Sequence, residues 1–172
     1  MKTIVIATIV VWSFLVAYIA GGSKTDKDEK FIIEQLDAQI MDIEESKLAI
    51  TKGTNDPIQL YGEWMQKDHL QMKKELQALA IQKNISIPTR LSNEKAEALT
   101  RLRNLEGKEF DQEFVRMMRI DHLMDIRSLK TACKSTDPDV RAFAQKYLPV
   151  LKSHLSGLEE LPIFEPQKDG SK

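Results

Sequence analysis

One cysteine, Cys133, is the whole thiol complement of this chain, so no internal disulfide can form and the fold has to stand on its core. Arginine is also limited, with seven residues. Lysine and glutamate interleave instead of gathering into a basic stripe that could follow a phosphate backbone, which argues against a nucleic-acid partner. No stretch alternates polar and apolar residues for long enough to argue a strand. Histidine is the last scarcity: only His69, His122 and His154 are present. The 172 residues suffice for a short leader and one domain with one core.

What is there begins with an apolar run. Met1-Lys2-Thr3 leads into Ile4 to Ala20, broken only by Thr8 and Ser13, and charge returns at Lys24, Asp26, Lys27, Asp28, Glu29 and Lys30. As a helix the run rises about 25 Å against an apolar slab of ~30 Å, which favours a cleaved signal peptide over a permanent anchor. Ala20-Gly21-Gly22 offers small residues for cleavage after Gly22. Either outcome puts the body outside the cytoplasm, in the periplasm or facing it, with membrane contact only through residues 4–20 of an uncleaved chain. Without Lys2 the balance is 24 basic against 26 acidic residues. Residues 23–30 read as a charged linker, 31–161 as the folded domain and 162–172 as a flexible tail.

The domain carries four long patterns of period 3.6. The first, Phe31 to about Lys52, has Ile33, Leu36, Ile40, Glu44 and Leu48 in line, and Gly53 stops it. The second opens at Asn55-Asp56-Pro57, with Asp56 as cap, and runs to about Lys83 through Tyr61, Met65, His69, Met72, Leu76 and Leu79. Gly62 within it is a tolerated weakness or a point of close packing. Ile85 to Arg90, with Pro88, reads as an extended connector, followed by a short helix from Asn93 to Asn104 capped by Ser92 and ended by Gly107. The third long pattern, about Glu109 to Ser135, aligns Phe114, Met118, His122, Ile126, Leu129 and Cys133. The fourth starts at Thr136-Asp137-Pro138 and runs to about Glu160 through Val140, Phe143, Tyr147, Leu151, His154 and Leu158, with Pro149 expected to bend it. Short turns after the first and third helices force antiparallel neighbours, so the expected fold is an all-α four-helix antiparallel bundle with one short additional helix.

Several motifs resemble the DUF4142 family, a group of ferritin-like, mostly exported bacterial proteins of unestablished biochemical role. They are Asp42, Glu44, Leu48 and Ala49; Met65, Asp68, His69, Glu75 and Leu76; Leu105, Gly107, Phe110 and Asp111; Asp121 and His122; and Asp137, Pro138, Phe143, Ala144, Leu148, Pro149 and His154. They cover Phe31 to Leu161. The resemblance implies the ferritin-like form of the bundle and an exported protein; the family's first acid is here Asp42.

Each histidine lies on the apolar stripe of a different helix. At 1.5 Å per residue from the end with the two short turns, His69 and His122 stand about 20 Å down, Glu44 about 14 Å and His154 about 24 Å. A cluster of three histidines and Glu44, with Asp68 and Asp121 as helpers, is therefore geometrically allowed and would suit one divalent ion such as Zn²⁺. Ferritin-type dinuclear centres need Glu-x-x-His on two helices, but Gln66 and Arg119 stand three residues before His69 and His122. A polar core network, in which a buried histidine donates a ring proton across the bundle to Glu44, Asp68 or Asp121, is the favoured alternative. The methionines and Cys133 read as core filler, and Tyr61 with Trp64 as a packed aromatic edge. The leading functional expectation is a non-enzymatic extracytoplasmic domain, envelope stress-related, binding an unknown protein or small molecule. The alternative is a metal-binding or metal-dependent redox protein.

Overall fold

In the computed structural model, which describes residues 25–162, the chain forms α1 (Thr25–Lys52), α2 (Asp56–Gln82), α3 (Asn93–Arg103), α4 (Gly107–Ala132) and α5 (Pro138–Glu159). No strand occurs among the described residues, and none of their helices is long and apolar enough to cross a membrane. The expected leader, Met1 to Gly22, lies outside the described residues, as does the expected tail from residue 163 onward.

The helix ends follow from their local chemistry. At the start of α2 the cap is Asn55, whose side chain accepts the Ile58 N–H at 3.2 Å; Asp56 is already helical. Asp137 caps α5 as expected, taking the N–H groups of Asp139 and Val140. Pro57 and Pro138 fill first-turn positions whose N–H groups have no helical acceptor. Asn84, at φ 57°, ends α2, and the Ile85 N–H turns back to the Ala80 carbonyl at 2.9 Å. Gly107 opens α4 at φ +57°, a left-handed conformation that side-chain-bearing residues resist. Four residues on, buried Asp111 accepts from the backbone and the hydroxyl of Thr54 and so ties α4 to the α1–α2 turn.

Three local expectations change. Residues 25–30 are not a linker but the first turns of α1, and the Asp28 carboxylate accepts the Ser135 hydroxyl beside the α4–α5 turn. Ser92 does not cap α3 with its side chain; its hydroxyl and N–H both go to Asp37 on α1. The third long helix starts at Gly107 and ends at Ala132 instead of spanning Glu109 to Ser135. Pro149 sits inside a continuous α5, although its ring denies the Gln145 carbonyl the usual N–H partner.

Two antiparallel hairpins, α1–α2 and α4–α5, pack side by side, α1 on α4 and α2 on α5, while α3 lies across α1 and α4. Their apolar interior is split in two. Phe31, Leu36, Met72, Leu76, Ile126, Leu129, Phe143 and Leu151 fill one end. Met41, Ile58, Tyr61, Met65, Phe110, Phe114, Met118 and Leu158 fill the other. Met65, Met72 and Met118 are thus core filler, as the sequence suggests, and Cys133 packs half-buried against the first cluster. Between the two ends lies a layer of buried polar side chains: Gln35, Gln39, Asp42, Glu45, His69, His122, Asp125 and His154.

Gly62 is a point of close packing. A Cβ there would fall 3.0 Å from the Ser46 carbonyl oxygen and 3.0 Å from the Ala49 Cβ of α1. Helix propensity alone would make Gly62→Ala stabilising by about 1 kcal/mol, but overpacking costs about 1–3 kcal/mol. The variant is therefore expected to unfold at lower denaturant than wild type; a higher midpoint would contradict the close approach of α1 and α2.

Candidate metal centre

The polar layer converges on three imidazoles. His69 comes from α2, His122 from α4 and His154 from α5, and each is at most 1% exposed. Their ring centroids form a nearly equilateral triangle with sides of 5.3, 5.2 and 5.4 Å. One ligating nitrogen from each ring lies within 4.8 Å of the other two. The helical register behind this was legible: each histidine replaces an apolar residue on a core-facing stripe.

The neighbours on the outer side assign a proton to one nitrogen of each ring. His122 Nδ1 donates to the Met118 carbonyl at 2.9 Å, an acceptor only. His154 Nε2 donates to Asp68 Oδ2 at 3.0 Å. His69 Nδ1 donates to Gln39 Oε1 at 2.8 Å. In neutral rings the other three nitrogens then hold lone pairs. His69 Nε2 has no hydrogen-bond partner, and His122 Nε2 stands 3.3 Å from His154 Nδ1 with no proton to share. Such a cluster of bare lone pairs is costly to bury. The 3.3 Å separation equals the edge of a tetrahedron whose metal–nitrogen bonds are about 2.05 Å.

Protonation does not relieve the crowding. Burial pushes His122 down to about 3, and the neighbouring His154 adds to the shift. His69 is lowered well below its ordinary value by burial and by both other rings. His154 is also lowered by burial, against the pull of Asp68. Neutral imidazoles with an oriented outer N–H are the form in which histidine ligates metals.

The carboxylates are arranged differently from expectation. Glu44 is outside the site: it points to the surface and binds Lys47 Nζ at 2.5 Å. Asp42, two residues earlier on α1 and fully buried, takes the place assigned to Glu44, with Oδ2 3.2 Å from His69 Nδ1. No hydrogen bond reaches Asp42 Oδ2, so the two side chains are close without being bonded. The register shift arises because the most buried line of α1 is polar, through Gln35, Gln39, Asp42 and Ser46, whereas the apolar line through Ile40 and Leu48 is half-buried. Asp68, expected as a helper at the site, accepts from His154 on α5 and not from its chain neighbour His69. It is itself held by Trp64 Nε1 at 2.9 Å. Asp121 faces away from the imidazoles and groups with Asp42 and Glu45. Sequence reasoning missed Glu45, Gln39 and Asp125, although Asp42–Glu45 and Asp121–Asp125, one helical turn apart, are signals of acids stacked on one face.

Aromatic packing braces the triangle. Trp64 meets the His154 ring edge-on at 5.0 Å, and Tyr61 donates its hydroxyl to the His154 carbonyl at 3.1 Å. Gly157, one turn on, makes room for the Trp64 ring, which a Cβ there would approach to 2.6 Å.

These features define a ferritin-like four-helix protein with a buried histidine triangle at mid-bundle. The chain belongs to the DUF4142 family, whose model, described as a domain of unknown function, matches residues 18–161. Among solved structures it is similar to one described as the crystal structure of a DUF305 fragment from Deinococcus radiodurans. The identity is 12% and the TM-score 0.69, with 77% of this chain and 93% of that one covered. At that identity the likeness is one of fold. No curated protein matches the chain in sequence.

The depressed histidines carry a pH signature in chelator-treated protein. His122 titrates at about 3 when folded and near ~6.5 when unfolded, so between these values the unfolded chain binds the extra proton. The stability tied to it is present above ~6.5 and is lost as pH falls through that window, at a slope approaching ~1.4 kcal/mol per pH unit. Asp125, pushed up to about 6 mainly by burial, works in the opposite sense. It is present in both wild type and His122→Leu, so the difference between their stability curves reports the ring and its effect on the neighbouring histidines. The expected result is a shallower acid loss in His122→Leu between pH 6.5 and 3; parallel curves would contradict a buried neutral His122.

Proposed function

We propose that the bundle is a non-enzymatic metal-binding protein that holds one borderline divalent ion, Zn²⁺ or a neighbour in the first transition row, on His69 Nε2, His122 Nε2 and His154 Nδ1. The single observation that carries this reading is the proton arrangement. All three outer nitrogens lie within hydrogen-bond distance of an oxygen acceptor, so in neutral rings the three inner nitrogens face one another as lone pairs. Imidazole suits Zn²⁺, Cu²⁺, Fe²⁺ and Ni²⁺. Three protein nitrogens leave a fourth position for a water or for a carboxylate. The near-complete burial of the rings supports binding and sequestration over turnover of a substrate.

A second reading has its own support. The rings are linked to Gln39, Met118 and Asp68, so a purely structural polar layer needs only one proton between His122 and His154 to be consistent. Metal content separates the two. Untagged protein, metal-replete and then dialysed, is expected to retain about one equivalent of Zn²⁺ per chain and to gain thermal stability with added Zn²⁺ by mass action, about 2.7 kcal/mol at a hundredfold excess over Kd. His122→Leu should lose both. Protein without stoichiometric metal, and without stabilisation by Zn²⁺, Cu²⁺, Mn²⁺ or Fe²⁺, would leave the structural reading.

The location outside the cytoplasm belongs to the same proposal and is supported by the apolar run from Ile4 to Ala20. Mass spectrometry of protein from the envelope fraction is expected to find an amino terminus at Ser23; an intact Met1 with firm membrane retention would replace cleavage with anchoring.

A further inference from the structure

A second group of buried side chains lies beside the histidines and makes no hydrogen bond to them. Asp42 and Glu45 stand one turn apart on α1, and Asp121 faces them from α4; one oxygen from each lies within 4.8 Å of the other two. Asp42 and Glu45 are fully buried, and neither oxygen of either carboxylate has a hydrogen-bond partner. Buried carboxylates without donors are among the costliest groups a core can hold.

Protein cations do not close the gap. Lys95 is a cation whose charge acts on all three acids, but its ammonium pairs with Asp37 at 3.4 Å. Arg116 is held by Glu113 through two hydrogen bonds of 2.7 and 2.5 Å. Asp125, next to the group, has one oxygen occupied by the Gln35 amide at 2.9 Å. Space is present as well. A cavity of about 40 Å³ is bordered by Asp42, Asp121, Asp125 and Lys95, room for an ion and a water or two. It shares Lys95, Asp121 and Asp125 with a wider cleft of about 540 Å³ between α1, α3 and α4, which gives a route from solvent.

We propose that Asp42, Glu45 and Asp121 form a second cation site, all-oxygen in its protein ligands and filled by a hard divalent ion of the Mn²⁺, Mg²⁺ or Ca²⁺ class. Carboxylate and water are the donors such ions prefer. Ligand oxygens around an ion at about 2.1–2.4 Å stand no more than about 4.8 Å apart, a limit that this group meets. The assignment does not rest on metal binding by the histidines. Asp42 borders both, since its Oδ2 lies 3.2 Å from His69 Nδ1, so the bundle has a nitrogen-lined and an oxygen-lined compartment side by side.

Mn²⁺ is the probe, because the paramagnetic signal of the free ion disappears on binding. Chelator-stripped full-length protein is titrated as wild type, Glu45→Gln, Asp121→Asn and His122→Leu, with Zn²⁺ titrations alongside. Wild type and His122→Leu are expected to take up one Mn²⁺ per chain. Glu45→Gln and Asp121→Asn should each weaken Mn²⁺ by about tenfold or more, equivalent to 1.4 kcal/mol, while keeping Zn²⁺ at the histidines. Asp121 is only half-buried, so its variant tests the site even where the Glu45 substitution disturbs folding. No Mn²⁺ uptake by wild type, or uptake unchanged in both carboxylate variants, would overturn the second site. Retained Zn²⁺ binding in that case would leave the histidine reading standing, and loss of Zn²⁺ with Mn²⁺ retained would have the reverse meaning.

Discussion

Each of the four long helices brings polar side chains to the same depth of the bundle, and the protein has to satisfy them there without bulk water. The apolar clusters on either side stabilise the fold in the ordinary way, by removing Phe, Leu, Ile and Met side chains from water. A layer of three imidazoles, two amides and three acids between them does the opposite unless its hydrogen bonds are complete. Around the histidine rings the outer bonds are complete and the inner face is open. That asymmetry sets the tautomers, and the tautomers make the triangle a potential ligand set.

The surrounding structure serves the same end. Asp68 receives both the Trp64 indole N–H and the His154 Nε2–H, so the indole positions the carboxylate that positions the ring. Tyr61 holds the backbone of His154 through its carbonyl, and Gly157 leaves the space into which Trp64 leans. On the far side Gln39 orients His69, and Gly62 lets α2 approach the α1 backbone near Ser46 and Ala49. Removal of one outer partner would free a ring to turn, which is how partners beyond the ligands influence metal affinity.

Much of this architecture was legible in the residues. Pro57 and Pro138 mark helix starts because proline suits the first turn, and the apolar stripes of α2, α4 and α5 set their inward faces correctly, histidines included. On α1 the same reasoning failed. Its deepest line is Gln35, Gln39, Asp42 and Ser46, and a reading that seeks apolar residues settles on the line containing Glu44. Asp42 stood out only through family resemblance. The charged residues before Phe31 read as linker by composition, yet Asp28 is placed by a hydroxyl on the other hairpin, a contact with a sequence separation that no local pattern encodes. The same holds for Asp68, next to His69 in the chain but bonded to His154.

The central claim is that the three imidazoles present unprotonated nitrogens to one another, and the positions of their protons test it most directly. Long-range ¹H–¹⁵N correlation of the histidine rings in chelator-treated protein near neutral pH distinguishes protonated from bare nitrogens. The account predicts N–H at Nδ1 of His69, Nδ1 of His122 and Nε2 of His154, with bare nitrogens at Nε2 of His69, Nε2 of His122 and Nδ1 of His154. A proton on His122 Nε2 or His154 Nδ1, bridging the 3.3 Å between them, would contradict it.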